Sequence, residues 1–236
     1  WGVGPKKEFG LRSLDIHTAK ELRDFDNDPL ILKKFSIVTR QTQDELRGRS
    51  CIDLRSIEED KKNIMSTRSF GRTVYDLESL REAISCHVSR AAEKLREQNS
   101  TCRHLYLFIR TSRHRANYLQ KSGRVQFVSG TASTNKLIAA ALKKLEEIYQ
   151  PQVGYKKCGI GLSDFEEQEK KQLSLLEGSE FFTDIELMKT IDIINRRYGA
   201  ETVKFASCGI NKHWRMLSEM RSQISTNKLS KMLVVS

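Results

Sequence analysis

Cations interleaved with small hydroxyls are the residues of this chain most able to do chemistry. Arg68, Arg72, Arg103, Arg110, Arg113, Arg115, Lys121 and Arg124 stand among Ser66, Thr67, Ser69, Thr111, Ser112, Ser129 and Thr131. Guanidinium and ammonium groups beside hydroxyls are what holding a phosphate backbone requires, with no need to read bases. An ordinary solvated sheet face uses the same residue types. The segments carrying these cations are nearly free of acids, however, while the neighbouring helical segments carry both signs. A second arrangement is Trp1-Gly2-Val3-Gly4-Pro5-Lys6-Lys7. A tight Gly-x-Gly turn before a helix exposes backbone N–H groups where a phosphate can sit; a simple helix cap explains such glycines as well. Glu58, Glu59 and Asp60 have the chemistry of metal ligands, but no strand or apolar frame fixes them, so a solvated tether is expected. Cys51, Cys86, Cys102, Cys158 and Cys208 are odd in number and scattered, which suits a reducing compartment better than a disulfide framework. His104 and His114 do not join them at zinc-like spacing, so no metal site is expected.

The charge balance agrees with the phosphate reading. Lys and Arg total 41 against 30 Asp and Glu, a formal net charge of +11. Such an excess favours a polyanionic partner through counterion release. An anionic membrane surface would be served by the same charge, yet no apolar run approaches the ~20 residues of a span, and no signal peptide is evident. At 236 residues, 38% hydrophobic and 30% charged, the chain can hold one large domain or two small ones.

The elements that must position these groups fall into two kinds. Residues 5–47 read as short helices: one through Phe9 and Leu11, a turn near Leu14-Asp15-Ile16, and a second with Thr18 as N-cap and Leu22 and Phe25 inward. Pro29 opens a third, and a longer one runs from about Ile37 to Leu46, ended by Gly48. Together they make a helix-hairpin-helix unit. Residues 51–63 are charged and poor in apolar groups and read as a linker.

From Ile64 the pattern becomes α/β. Strands are expected at Ile64–Thr73, Cys102–Thr111, Arg124–Ser129 and Tyr155–Leu162. Leu105, Leu107 and Ile109 alternate with His104, Tyr106, Phe108 and Arg110. Amphipathic helices are expected at Glu78–Arg96 and Asn135–Tyr149. The β-α-β-β-α-β order puts both helices on one side of a four-stranded antiparallel sheet and frees the other face. A helix (Asp184–Arg197) and a short strand (Thr202–Ser207) follow as a small α/β extension. The fold class is therefore α+β, with units at 1–50, 51–63 (linker), 64–165, 166–180 (tether) and 181–236.

Four motifs in register carry a family resemblance: Trp1-Gly2-Val3-Gly4, Glu45-Leu46-Arg47-Gly48, Arg68-Ser69-Phe70-Gly71-Arg72 and Ala91-Ala92-Glu93-Lys94-Leu95-Arg96. Their order and spacing resemble the C-terminal portion of Y-family translesion DNA polymerases of the UmuC type over nearly the whole chain. The resemblance implies that residues 1–50 are a thumb, with Gly2, Val3, Gly4, Lys6 and Lys7 on the primer backbone. It makes residues 64–165 a little finger, with Arg68, Ser69, Phe70, Gly71, Arg72, Arg110 and Arg113 on DNA. Where the family has a second thumb-turn Gly, this chain has Asp15, which alters that hairpin. Gln172-Leu173-Ser174-Leu175-Leu176 resembles the sliding-clamp pentapeptide Gln-Leu-x-Leu-Phe, with Leu176 for Phe. The Gln172 amide would sit in a polar rim and Leu173, Leu175 and Leu176 in an apolar groove, Leu for Phe losing ~1 kcal/mol. Without that context the pentapeptide reads as a helix or core fragment.

The resemblance further implies a bacterial, cytoplasmic protein of SOS mutagenesis and DNA repair. Its partners would be a DNA primer–template, the sliding clamp, a UmuD-type dimer and a RecA filament. The palm carboxylates that hold Mg²⁺ for nucleotidyl transfer are expected upstream of Trp1, in a longer protein. This fragment then needs no cofactor, has no catalytic residue and is inactive alone. Two other readings stand beside it. A self-sufficient enzyme finds no nucleophile–base set or phosphate loop in support. An RNA or single-strand binder would need stacking aromatics on the central strands, for which Tyr106 and Phe108 are the candidates.

Overall fold

The computed structural model describes residues 2–51, 60–114, 117–167 and 180–216. The chain divides into two compact units, residues 1–59 and 60–236.

In the first unit, short helices are set by local signals: α1 (Pro5–Arg12), α2 (Ala19–Asp24), α3 (Asp28–Lys34) and α4 (Ile37–Leu46). Thr18 caps α2 reciprocally with Glu21: its Oγ1 accepts from the Glu21 N–H at 3.2 Å, and Glu21 Oε2 accepts from the Thr18 N–H at 3.0 Å. Asn27 caps α3 through the Leu30 N–H, and Gly48 at φ 83° follows the end of α4. The turn between α1 and α2 is left-handed at Asp15, φ 60°, where Gly would be unstrained; its carboxylate lies 3.1 Å from His17 Nε2. Leu11, Ile16, Leu22 and Ile31 are buried together, with Leu14, Phe25 and Phe35 around them. One amide joins this core. Gln43 is fully buried on α4, and its Nε2 donates to Leu22 O at 2.9 Å and Phe25 O at 2.7 Å. These are carbonyls at the end of α2, which the helix itself leaves unpaired.

The second unit runs β1 (Asn63–Val74), α5 (Leu77–Glu97), β2 (Ser100–Arg110), β3 (Gln120–Thr131), α6 (Thr134–Ile148), β4 (Tyr155–Glu167) and α7 (Glu180–Tyr198). The four strands form one antiparallel sheet in the order β1-β4-β2-β3. The mixed α+β layout has the expected element order, with β3 and β4 extending beyond their apolar runs. Asp76 and Ser133 cap α5 and α6 through the N–H groups of Ser79 and Lys136. Leu80, Ala83, Ile84, Ala91 and Leu95 of α5 and Leu137, Ala141 and Leu145 of α6 are all fully buried. Their sheet counterparts lie in cross-strand rows: Ile64–Leu162–Leu105–Val125 and Ser66–Ile160–Leu107–Gly123.

The expected strand at Thr202–Ser207 does not form. The Asn195 side chain takes Val203's backbone groups, donating to its O at 3.0 Å and accepting from its N–H at 2.8 Å. No ladder is left for that residue, and the segment passes into a 3₁₀ turn, Ala206–Cys208. Beyond it Trp214 is buried against Phe70 and His87, ring centroids 6.2 Å away in each case. The Gly71 N–H donates to Trp214 O at 3.1 Å, pinning this segment to the outer edge of β1.

Candidate nucleic-acid interface

The sheet face opposite the helices follows from the same register. Its cross-strand rows, from β1 through β4 and β2 to β3, are Ser69–Lys157–Arg110–Gln120, Thr67–Gly159–Phe108–Ser122, Met65–Gly161–Tyr106–Arg124 and Asn63–Ser163–His104–Gln126. These rows hold three cations, Lys157, Arg110 and Arg124, and no carboxylate. Between them lie hydroxyls and amides, donors suited to phosphate oxygens, together with two glycines, Met65, Tyr106, Phe108 and His104. Adjacent strands are ~4.8 Å apart and alternate residues ~6.7 Å apart, so the cations span roughly two rows of strand.

The centre of the face is filled rather than open. Phe108 is only 9% exposed and its ring lies over Gly159, where an added Cβ would come within 2.4 Å of Thr67 Cγ2 and 3.0 Å of Phe108 Cε1. Tyr106 packs beside it, ring centroids 6.2 Å apart. Arg124 Nη2 donates to His104 Nδ1 at 2.8 Å, and Asp164 lies 3.5 Å from the same nitrogen. That hydrogen bond holds the Arg124 guanidinium over the sheet.

The residues singled out in the sequence are dispersed by the fold. Ser69 and Arg110 share a row on the open face. Arg68 does not: it pairs with Cys158 and Ile109 in a helix-side row, at the edge of β1. Ser66 on that side bonds His87 of α5 at 2.9 Å, which fixes the orientation of the strand. Phe70 is a core residue, 1% exposed beneath Trp214, so its side chain faces no ligand. Gly71 uses both backbone groups internally, its O accepting from Lys156 Nζ at 3.0 Å. Arg72 and Arg113 are exposed, Arg113 in the turn after β2. Arg103 is paired with Glu166 at 2.7 Å, and Lys121 shares the helix-side row with Arg68. Lys157 escaped the sequence reading. Its signal was the alternation Cys158, Ile160, Leu162, which places Lys157, Gly159 and Gly161 on the other face.

In the helical unit, Gly2 is left-handed at φ 84° and Gly4 is the extended N-cap of α1. Gly2, Val3, Gly4 and Lys6 are exposed, and Lys7 Nζ folds back to Gly2 O at 3.1 Å. Among the described residues nothing lies within 4 Å of a Cβ built on Gly4. Arg115 and the pentapeptide Gln172–Leu176 lie outside the described residues. Among the described residues no three His, Cys, Asp or Glu side chains converge to hold a metal, and no helix is long and apolar enough to cross a membrane. Burial holds the His87 imidazole down at about 4, with the charges of Arg90 and Arg68 adding to it.

Comparison with known proteins adds a family. Residues 61–175 match the model described as the impB/mucB/samB family C-terminal domain, and residues 186–235 match a domain of unknown function (DUF4113). Protein UmuC of Salmonella typhimurium (strain LT2) is 35% identical over 238 residues, taking in 100% of this chain and 56% of that protein. Protein SamB of Salmonella typhimurium is 35% identical over 231 residues, covering 97% of this chain and 54% of its own. DNA polymerase IV of Clostridium acetobutylicum is 23% identical over 201 residues, covering 85% of this chain and 49% of its own. The chain spans about half the length of these curated relatives.

Proposed function

Through residues 61–175 this chain belongs to the impB/mucB/samB family, and from that premise we propose that it is the DNA-binding C-terminal part of an error-prone translesion DNA polymerase. The observation that carries the reading is the open sheet face, whose four rows hold Lys157, Arg110 and Arg124 and no carboxylate, Asp164 standing next to the His104 that Arg124 bonds. Such a face holds backbone phosphates of any sequence, which is what a polymerase that copies damaged templates needs. Ser69 lies in the same row as Lys157. Arg68 and Arg72 reach the backbone from the rim of β1, and Arg113 from the turn after β2. The exposed start of α1, with Gly2, Val3, Gly4, Lys6 and Lys7, offers backbone N–H groups and two ammonium groups to the primer strand.

Nucleotidyl transfer and its Mg²⁺ belong, in this reading, to the part of the relatives' length that this chain does not span. Gln172–Leu176 is the tether to the sliding clamp. A UmuD-type dimer and a RecA filament are further partners, in the bacterial cytoplasm. The alternative, a stand-alone single-strand or RNA binder, is disfavoured by Phe108. A stacking platform needs exposed rings on the central strands, and this one is almost covered.

Binding to duplex primer–template and to single strands, titrated against salt, separates the two. Tighter binding to the duplex, falling steeply with salt and without nucleotide incorporation, is expected. A preference for single strands points to the alternative, and incorporation by this chain alone overturns the proposal. For the tether, Gln172→Ala with Leu173→Ala should abolish capture on immobilised clamp; equal retention removes the pentapeptide from the site.

A further inference from the structure

The fold brings together two cysteines that stand 122 positions apart. Cys86 of α5 points at the 3₁₀ turn of the C-terminal segment, its Sγ 3.5 Å from Cys208 O. Ser89, one turn further along α5, sets its Oγ 3.6 Å from Cys208 Sγ. Both thiols are nearly buried, but they line a cavity of about 130 Å³ together with Ser89, Arg90 and Lys212. Glu93, Asp192 and Glu201 line the cavity as well, and several cations converge on the last of these. Arg90, Lys212 and Arg215 all pair with one carboxylate, Glu201, at 3.0, 2.6 and 3.0 Å. Lys212 is itself 6% exposed at its side chain, so its charge is felt inside rather than in water.

We propose that Cys208 and Cys86 are a peroxide-reactive thiol pair that closes to a disulfide and ties the C-terminal segment to α5. The Cys208 thiol is held below the ordinary cysteine range, first by a hydrogen bond from Cys86, then by Ser89 and the charge of Lys212; burial and Glu201 oppose them. Cys86 is correspondingly pushed up. The thiolate is the nucleophile in cysteine chemistry, so Cys208 reacts and Cys86 resolves. Cys208 attacks one oxygen of hydrogen peroxide, the O–O bond breaks, and the departing hydroxide takes a proton to become water. Cys208 is thereby oxidised to a sulfenic acid. The Cys86 sulfur then attacks the Cys208 sulfur, the S–O bond breaks, and the hydroxyl leaves with the Cys86 proton as a second water. Two thiols and one peroxide give one disulfide and two waters. Cys102, pushed up to about 12 by burial, and Cys158, pushed higher by the same cause, stay as thiols.

The test treats the 236-residue chain with hydrogen peroxide at neutral pH and maps its cysteines by mass spectrometry. The expected product is a Cys86–Cys208 crosslink that dithiothreitol reverses, formed equally in a Cys102→Ser variant. In Cys86→Ser the reaction should stop at a Cys208 sulfenic acid, which dimedone traps. Should that variant fail to fold, iodoacetamide on the unmodified chain decides: Cys208 is expected to alkylate at least about tenfold faster than Cys102, since only the thiolate reacts. Equal alkylation rates overturn the proposal. Oxidation confined to Cys51, with Cys86 and Cys208 still free, does the same.

Discussion

Replacing Lys157, Arg110 and Arg124 together by Ala takes every cation out of the open-face rows. Lys157 and Arg110 are neighbours in one row, and Arg124 lies two rows on, ~13 Å along the strand direction. Measured along a duplex axis, that separation corresponds to roughly four base-pair steps at ~3.4 Å each. Each phosphate neutralised contributes about −0.9 to the slope of log affinity against log salt, so three contacts account for a slope of about −2.7. At about 0.15 M salt the same relation makes each contact worth roughly fivefold in affinity, and all three about a hundredfold. The assay is fluorescence anisotropy of a labelled primer–template duplex over a series of salt concentrations, with a thermal melt of each variant as control. The melt should hardly move, because the three side chains are exposed or half-buried and, among the described residues, the bond given up is that of Arg124 to His104. A triple variant with the wild-type slope refutes the reasoning. If Arg68→Ala with Arg72→Ala then carries the whole loss, the grip lies on the rim of β1 instead.

Two further expectations concern the docked C-terminal segment. His87 takes its proton near 4 in the folded chain and near 6.5 when unfolded. The unfolded state therefore binds more protons between those values, and stability is full above about pH 6.5 and drains as pH falls toward 4, by at most about 3 kcal/mol. Urea midpoints measured across this window should fall with pH, and more gently in His87→Gln; an identical slope in the variant removes His87 as the cause. Trp214→Ala empties the space over Phe70 and should destabilise the second unit by about 3–5 kcal/mol, the usual cost of an aromatic cavity. A shift in thermal midpoint no larger than that of a surface substitution would mean the segment is not docked as described.

Much of the architecture was legible because its signals are local. Leu105, Leu107 and Ile109 alternate at the period of a half-buried strand, and α5 and α6 carry apolar stripes at the period of a helix. Thr18 with Glu21, and Gly48, mark helix ends by chemistry that acts within one turn. Such patterns determined the order of elements, the two layers and the existence of a free sheet face. The composition determined the excess of cations that this face uses.

Which cations share that face was a matter for the tertiary structure. β1 carries polar residues at Ser66 and Arg68 on its helix side, so its alternation gives no clear sign of which face is buried. Only the pairing of Ile64 with Leu162, and of Ser66 with His87, settles the orientation, and it separates Arg68 from Arg110. Strand order likewise sets Lys157 beside Arg110 across a distance of 47 positions that no local pattern spans. Phe70 and the Thr202–Ser207 segment changed role for the same reason: a tryptophan and an asparagine brought in from elsewhere along the fold took up the surface and the backbone groups they would otherwise have offered. Side-chain periodicity is a property of neighbouring residues, whereas register, edge covering and the meeting of Cys86 with Cys208 depend on contacts between distant ones.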